Sequence, residues 1–207
     1  MGERERASGG RIHGLVLAAG AGRRFGGAKQ LAPLAGRPLL EHALRALAAA
    51  PELDGVVVTL GAHAAEIAAA VDLHGARPVV VAGWEEGIAA SLRAGIAALP
   101  ADAEAVVVAL GDQPGLDPAT VARVVAAARD SDAAAVRATH GGRPGHPVLL
   151  RRRLFGALRE LRGDRGAGAV LAGLDVLAVE CGPDVVLDVD RPADLARAAA
   201  RPPRPPA

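Results

Sequence analysis

The chain has 207 residues, 24 basic against 23 acidic, and its only aromatic residues are Phe25, Trp84 and Phe155. That charge balance leaves no electrostatic footprint for nucleic acid or an anionic membrane surface. A single cysteine, Cys181, excludes an intramolecular disulfide and a cysteine-based metal cage, and no run approaches the ~18 apolar residues of a membrane span.

The first ten residues carry charges but no apolar stretch of the kind a secretory signal needs, so a cytoplasmic protein is expected. Residues 1–10 and the proline-rich tail 201–207 are expected to be disordered, with one domain over 11–200. Between these ends, short Val/Leu runs alternate with Ala-rich helical stretches. Residues 12–18 read as a strand and 38–50 as a helix opened by Pro38, whose missing N–H costs nothing in a first turn. Residues 54–61 read as strand, 62–71 as helix, 77–83 as strand and 85–99 as helix. Residues 103–112 are continuously apolar, which predicts a strand buried on both faces. Asp117 is the expected N-cap of a helix that runs from Pro118 to Arg129. Further on, 133–140 reads as strand, 141–147 as loop, and 148–161 and 165–172 as short helices. Strands at 175–180 and 184–189 follow, with a last helix opened by Pro192. Strands alternating with helices predict one α/β domain with a mostly parallel sheet covered on both faces.

The loop after the first strand carries Gly20, Gly22, Gly26 and Gly27 together with Arg23, Arg24 and Lys29. It fails the dinucleotide fingerprint, because Phe25 stands where a glycine is needed, and it fails the Walker A pattern, because Ala28 separates Gly27 from Lys29. A glycine-rich, cationic loop suits a polyphosphate, although a plain solvated turn would also use glycines. Lys29 sharpens the choice. It is the sole lysine beside 23 arginines, so a position that kept an ammonium is one where its compact charge matters.

From Leu17 to Lys29 the chain resembles the opening signature of MobA-like NTP transferases, L-A-A-G-x-G-x-R-x-G followed by a lysine. The resemblance implies a single-domain, Rossmann-like, three-layer α/β/α nucleotidyltransferase fold. It also implies magnesium-dependent transfer of a nucleoside monophosphate to a phosphate-bearing acceptor. It places the nucleotide on Leu17, Ala18, Ala19, Gly20 and Gly22, and the triphosphate on Arg24 (rather than Arg23) and Lys29.

Two acidic segments fit the same pattern. Gly111-Asp112-Gln113-Pro114 ends the apolar strand, where open α/β sheets bind ligands. Alone, Asp112 could equally sit in a turn or cap a helix. The motif is similar to that of the cytidylyltransferases of molybdenum cofactor assembly, which implies Asp112 as a magnesium ligand. Asp188 and Asp190 alternate, so on a strand they would share one face and repel unless a cation lay near. Asp190 could instead cap the helix at Pro192. Related enzymes carry D-x-D-T-P-E-D-L there, and the resemblance implies Asp190 first and Asp188 second as metal ligands. Arg191 and Ala193 depart from that pattern.

Three more stretches extend the resemblance. Trp84 to Arg93 is similar to W-x-x-G-x-x-x-S-L-R, which implies Gly87 and Ser91 beside the nucleobase, though Ser91 could equally face solvent or its own helix. Gly142 to Pro147 is similar to G-R-P-G-H-P, and Gly163 to Ala167 to G-D-R-G-A. These imply Arg143, His146 and Asp164 on the acceptor, although His146 could be a loop histidine bonded to backbone and Asp164 a helix cap. The resulting expectation is transfer of CMP from CTP to a phosphorylated pterin cofactor, with a molybdoenzyme or its chaperone as receiver of the product. The alternatives are another nucleotide or acceptor, a nicotinamide-dependent oxidoreductase, and a non-catalytic binding domain.

Overall fold

The computed structural model describes residues 10–200. The expectation of disordered ends therefore falls, Gly10 apart, outside the described residues. In chain order these form β1 (Arg11–Ala18), β2 (Pro33–Leu34), β3 (Arg37–Pro38), α1 (Leu39–Ala48), β4 (Val56–Leu60), α2 (Ala64–Ala70), β5 (Arg77–Val80) and α3 (Ile88–Ala98). There follow β6 (Ala103–Leu110), α4 (Pro118–Arg129), β7 (Ala135–His140), β8 (Arg143–Arg151), α5 (Phe155–Arg159), α6 (Gly168–Leu171), β9 (Val176–Glu180) and α7 (Pro192–Ala199).

Seven strands make the main sheet, in the order β5-β4-β1-β6-β8-β7-β9. β1 pairs in parallel with β4 and β6, and β5 continues in parallel beyond β4. β8 is antiparallel to both β6 and β7, and β9 is parallel to β7. Only β8 therefore runs against the other six, and the expected mostly parallel sheet is present.

Alternation along the central strands builds the layers. On β6, Ala105, Val107 and Ala109 face one side, where they meet Leu40, Leu44 and Leu47 of α1 and Val121 and Val125 of α4. Val106 and Val108 face the other side, with Leu15 of β1, Leu92 and Ile96 of α3 and Phe155 of α5. A strand buried on both faces follows from its continuously apolar sequence, as expected. Asp117 caps α4 as read, its Oδ1 accepting the Thr120 N–H at 2.7 Å.

Three expectations after residue 140 need correction. Residues 141–147 are not a loop. Gly141 and Gly142, at φ 56° and 75°, form a tight turn, and Arg143 to Pro147 already belong to β8. Pro144 and Pro147 disguise the strand, yet β6 pairs only with residues 148–151, so neither proline leaves a gap in that ladder. The helix expected over 148–161 shrinks to a 3-10 turn at Arg152–Leu154 and α5. Its first residues, Val148 to Arg151, are claimed by the sheet, since a short apolar run fits strand or helix equally. The strand expected over 184–189 is instead a 3-10 turn at Pro183–Val186 followed by extended chain. The hairpin of β2 and β3, two residues each, was not expected at all.

Leu15 is fully buried between β1 and α3. Leu15→Ala is expected to cost about 2–5 kcal/mol, measured by urea unfolding, because the rigid sheet cannot collapse into the void.

Candidate active site

A cleft of about 360 Å³ opens at the C-terminal ends of β1 and β6. Open parallel sheets bind ligands at this edge, where helix N-termini and loops converge. Leu17, Ala18, Ala19, Gly20, Lys29, Gly87, Ser91, Asp112 and Asp164 line it. Sequence positions spread over most of the chain thus meet in one place.

The glycine loop is held by its own backbone. Gly22, at φ 64°, offers one carbonyl to the N–H groups of Phe25, Gly26 and Gly27. A side chain at Gly22 would run into the Gly27 carbonyl, so glycine is required there. Gln30 anchors the loop from beneath. Its buried amide donates to the carbonyls of Ala18 at 2.9 Å and Gly20 at 2.7 Å.

Lys29 Nζ donates to Asp112 Oδ2 at 2.6 Å, to Asp190 Oδ1 at 3.3 Å and to the Val189 carbonyl at 3.1 Å. Lys29 and Asp112 are only 15% and 19% exposed, so little water screens the pair. Arg24 Nη1 meets the other face of Asp190, at 2.9 Å from Oδ2. Arg23, not Arg24, is among the residues that line the cleft. The segment bearing Asp190 is docked by the Val189 N–H, which donates to the Asp112 carbonyl at 3.0 Å.

Asp190 does not cap α7. The N-cap is Arg191, and Asp194 in the first turn reaches back, its Oδ2 accepting from the N–H groups of Asp190 at 3.0 Å and Arg191 at 2.8 Å. Nor do Asp188 and Asp190 share a strand face. Asp188 turns to Gln113, whose Nε2 donates to its Oδ1 at 2.6 Å. Burial pushes the Asp112 carboxyl above its usual range, Asp188 and Asp190 add to the push, and Lys29 opposes it.

Asp112 Oδ1 is buried with no hydrogen-bond partner, and it belongs to the side chain at the floor of the cleft. An orphaned carboxylate oxygen beside a second carboxylate fits a hard divalent cation. Among the described residues, no three His, Cys, Asp or Glu side chains are grouped to hold a metal by themselves. Such a cation would take its other ligands from phosphate oxygens and water, as magnesium commonly does.

The residues expected on the acceptor do not converge. Asp164 lies against Gly87, and its Oδ1 accepts from the Ile88 N–H at 3.4 Å, so it caps α3 rather than the helix that follows it. Arg143 is exposed at the turn between β7 and β8. His146 sits within β8, outside the cleft lining, with Asp188 and Arg137 as the charges that act on it. Sequence reasoning named Arg23 in the cationic loop but set it behind Arg24, and it missed Gln30. The one available signal for Gln30 was a long polar side chain directly behind the lysine.

A cationic glycine loop facing carboxylates at the C-terminal edge of a parallel sheet defines a nucleotide-handling α/β protein. The chain belongs to the MobA-like NTP transferase domain family, whose model matches residues 14–179. It is 32% identical to a molybdenum cofactor guanylyltransferase of Rhodobacter capsulatus, over 92% of this chain and 96% of that one. It is 35% identical to a nicotine blue oxidoreductase of Paenarthrobacter nicotinovorans, over 77% and 81%. Among solved structures, Rv0371c of Mycobacterium tuberculosis H37Rv superposes with a TM-score of 0.85 at 34% identity, covering 94% of this chain and all of that one. A complex of Rv0371c with manganese superposes at 0.80, with 31% identity and coverage of 93% and 99%. No helix of the described residues is long and apolar enough to cross a membrane.

Desolvation lowers the His146 imidazole to about 4, so the folded protein keeps it neutral. The unfolded chain takes up that proton below the ordinary value of 6.5. The contribution is therefore complete above pH 6.5 and declines as pH falls towards 4, by up to about 1.4 kcal/mol per pH unit. Urea unfolding of His146→Gln against the parent, between pH 7 and 4.5, is expected to remove that slope.

Proposed function

We propose that the protein transfers a nucleoside monophosphate from an NTP, CTP foremost, to the phosphate of a molybdopterin-type cofactor and releases pyrophosphate. The observation that carries this reading is Lys29 Nζ lodged between Asp112 and Asp190 at the foot of a glycine-loop cleft. An ammonium and two carboxylates packed this closely form a site that exchanges partners when a triphosphate and its cation arrive.

In the reaction, an acceptor phosphate oxygen forms a bond to the α-phosphorus as the bond to the β-phosphate bridging oxygen breaks. Pyrophosphate carries away the electron pair. The nucleophile is already an anion, so the reaction requires no general base. Lys29 and Arg24 turn from Asp112 and Asp190 to the triphosphate and stabilise the charge that develops on the leaving group. Asp112 and Asp190 are the residues that would hold magnesium, which when bound neutralises phosphate oxygens. Gly20 and Gly22 allow the phosphates close to the backbone, and Gly87 and Ser91 flank the base. Positioning by a rigid sheet edge supplies the rest.

CTP is favoured by the likeness of Gly111–Pro114, Gly142–Pro147 and Gly163–Ala167 to the molybdenum cofactor cytidylyltransferases. The Rhodobacter capsulatus relative, a guanylyltransferase, makes GTP the competing nucleotide. The Paenarthrobacter nicotinovorans relative makes nicotinamide-dependent reduction the competing chemistry, against which the failed dinucleotide fingerprint counts.

Pyrophosphate release, measured with each of the four NTPs, magnesium and molybdopterin, is expected to be strongest with CTP. No release with any NTP, alongside tight NADPH binding, would sink the reading. Lys29→Ala is expected to lower kcat at least ~100-fold, the usual scale for removing a preorganised charge from a transition state. Asp112→Asn is expected to lose metal-dependent turnover to a similar degree, read in the same pyrophosphate-release assay.

A further inference from the structure

The part of the cleft lined by Gly87 and Asp164 is tied together by two residues that do not line it. Glu86 precedes α3, and its Oε1 accepts from the Gly163 N–H at 3.0 Å and from Arg93 Nη1 at 2.8 Å. Its Oε2 accepts from Arg93 Nη2 at 2.5 Å. Arg93, one face of α3 further along, also donates through Nη1 to the Leu161 carbonyl at 2.6 Å. The Gly163 carbonyl in turn accepts from the Ala89 N–H at 3.1 Å. Residues 161–164 are thus laced onto the first turns of α3 by one carboxylate and one guanidinium.

What the lacing positions is part of the cleft. Gly87 adopts φ 118°, and a Cβ there would come within 2.6 Å of Asp164 Oδ1 and 2.8 Å of the Gly163 carbonyl. Gly87 and Asp164 both line the cleft, and Glu85 lines it beside them. Glu86 and Arg93 are 34% and 26% exposed, so the ion pair alone adds little stability. A bidentate pair that also satisfies one amide and one carbonyl of a distant loop fixes geometry instead.

We propose that Glu86 and Arg93 are positioning residues. They hold the Asp164 carboxylate against Gly87, where it accepts a hydrogen bond from the exocyclic amine of the nucleobase. The clamp therefore sets nucleotide affinity and the preference for an amine-bearing base over uracil, rather than the chemistry at Lys29. This rests on the nucleotidyl-transfer reading.

Trp84 is the only tryptophan and lines the same cleft, so its fluorescence reports nucleotide binding directly. Titrations with CTP and UTP in magnesium would compare the parent with Glu86→Ala, Glu86→Gln and the exchange Glu86→Arg with Arg93→Glu, with melting followed in parallel. Glu86→Ala is expected to weaken CTP binding about tenfold, the scale of a lost charged hydrogen bond, and to bring CTP and UTP within about twofold. KM for CTP in pyrophosphate release rises in step while kcat falls less than about threefold. Glu86→Gln keeps an oxygen for the Gly163 N–H and is expected to recover most of the preference. The exchange restores opposite charges but turns a guanidinium towards the Gly163 N–H, so it is expected to stay weak. A folded Glu86→Ala with unchanged affinity and preference overturns the clamp, and so does an exchange that binds like the parent. A parent protein that binds no NTP and releases no pyrophosphate overturns the transfer reading, and the clamp's role with it.

Discussion

Placing an ammonium between two carboxylates in a poorly screened corner is the constraint that organises this molecule. Asp112 ends β6, Asp190 follows a segment docked onto it, and Lys29 comes from the loop after β1. None of the three could be buried this far alone, since an isolated charge in a dry site is costly. Together they draw three distant parts of the chain to one edge of the sheet. Arg24 closes the cluster from outside by pairing with Asp190.

The rest of the fold serves to present that edge. A core of Val, Leu, Ile and Ala, with hardly any aromatic rings, fills both faces of the sheet through strict alternation on β1 and β6. Small side chains let helices lie close and leave the strand ends as the place where polar groups gather. The one reversed strand, β8, carries His146 away from the cleft, while the loop of residues 161–164 returns Asp164 to it.

The regular first two thirds of the chain was legible in the sequence because its signals are local. Continuous apolar runs marked β4 and β6, and Asp117-Pro118 marked the start of α4. The later third was less legible because its elements are decided by distant partners. Val148 to Arg151 could be helix or strand until β6 claimed them, and two prolines disguised the first half of β8 as loop. Likewise Asp188 and Asp190 alternate as a strand would, but the chain turns and sends one to Gln113 and the other to Lys29. The bonds of Glu86 and Arg93 to residues 161–163 span a separation that no local pattern encodes.

The mutual neutralisation of Lys29, Arg24, Asp112 and Asp190 has a kinetic side. With Lys29 and Arg24 each paired to a carboxylate and a formal net charge of +1, the protein projects little field beyond a Debye length of about 8–10 Å. Arriving anions are therefore not steered from afar. On the proposed nucleotidyl-transfer reading, capture then depends on a local swap of partners inside the site, unlike that of proteins that collect phosphates on an open basic surface.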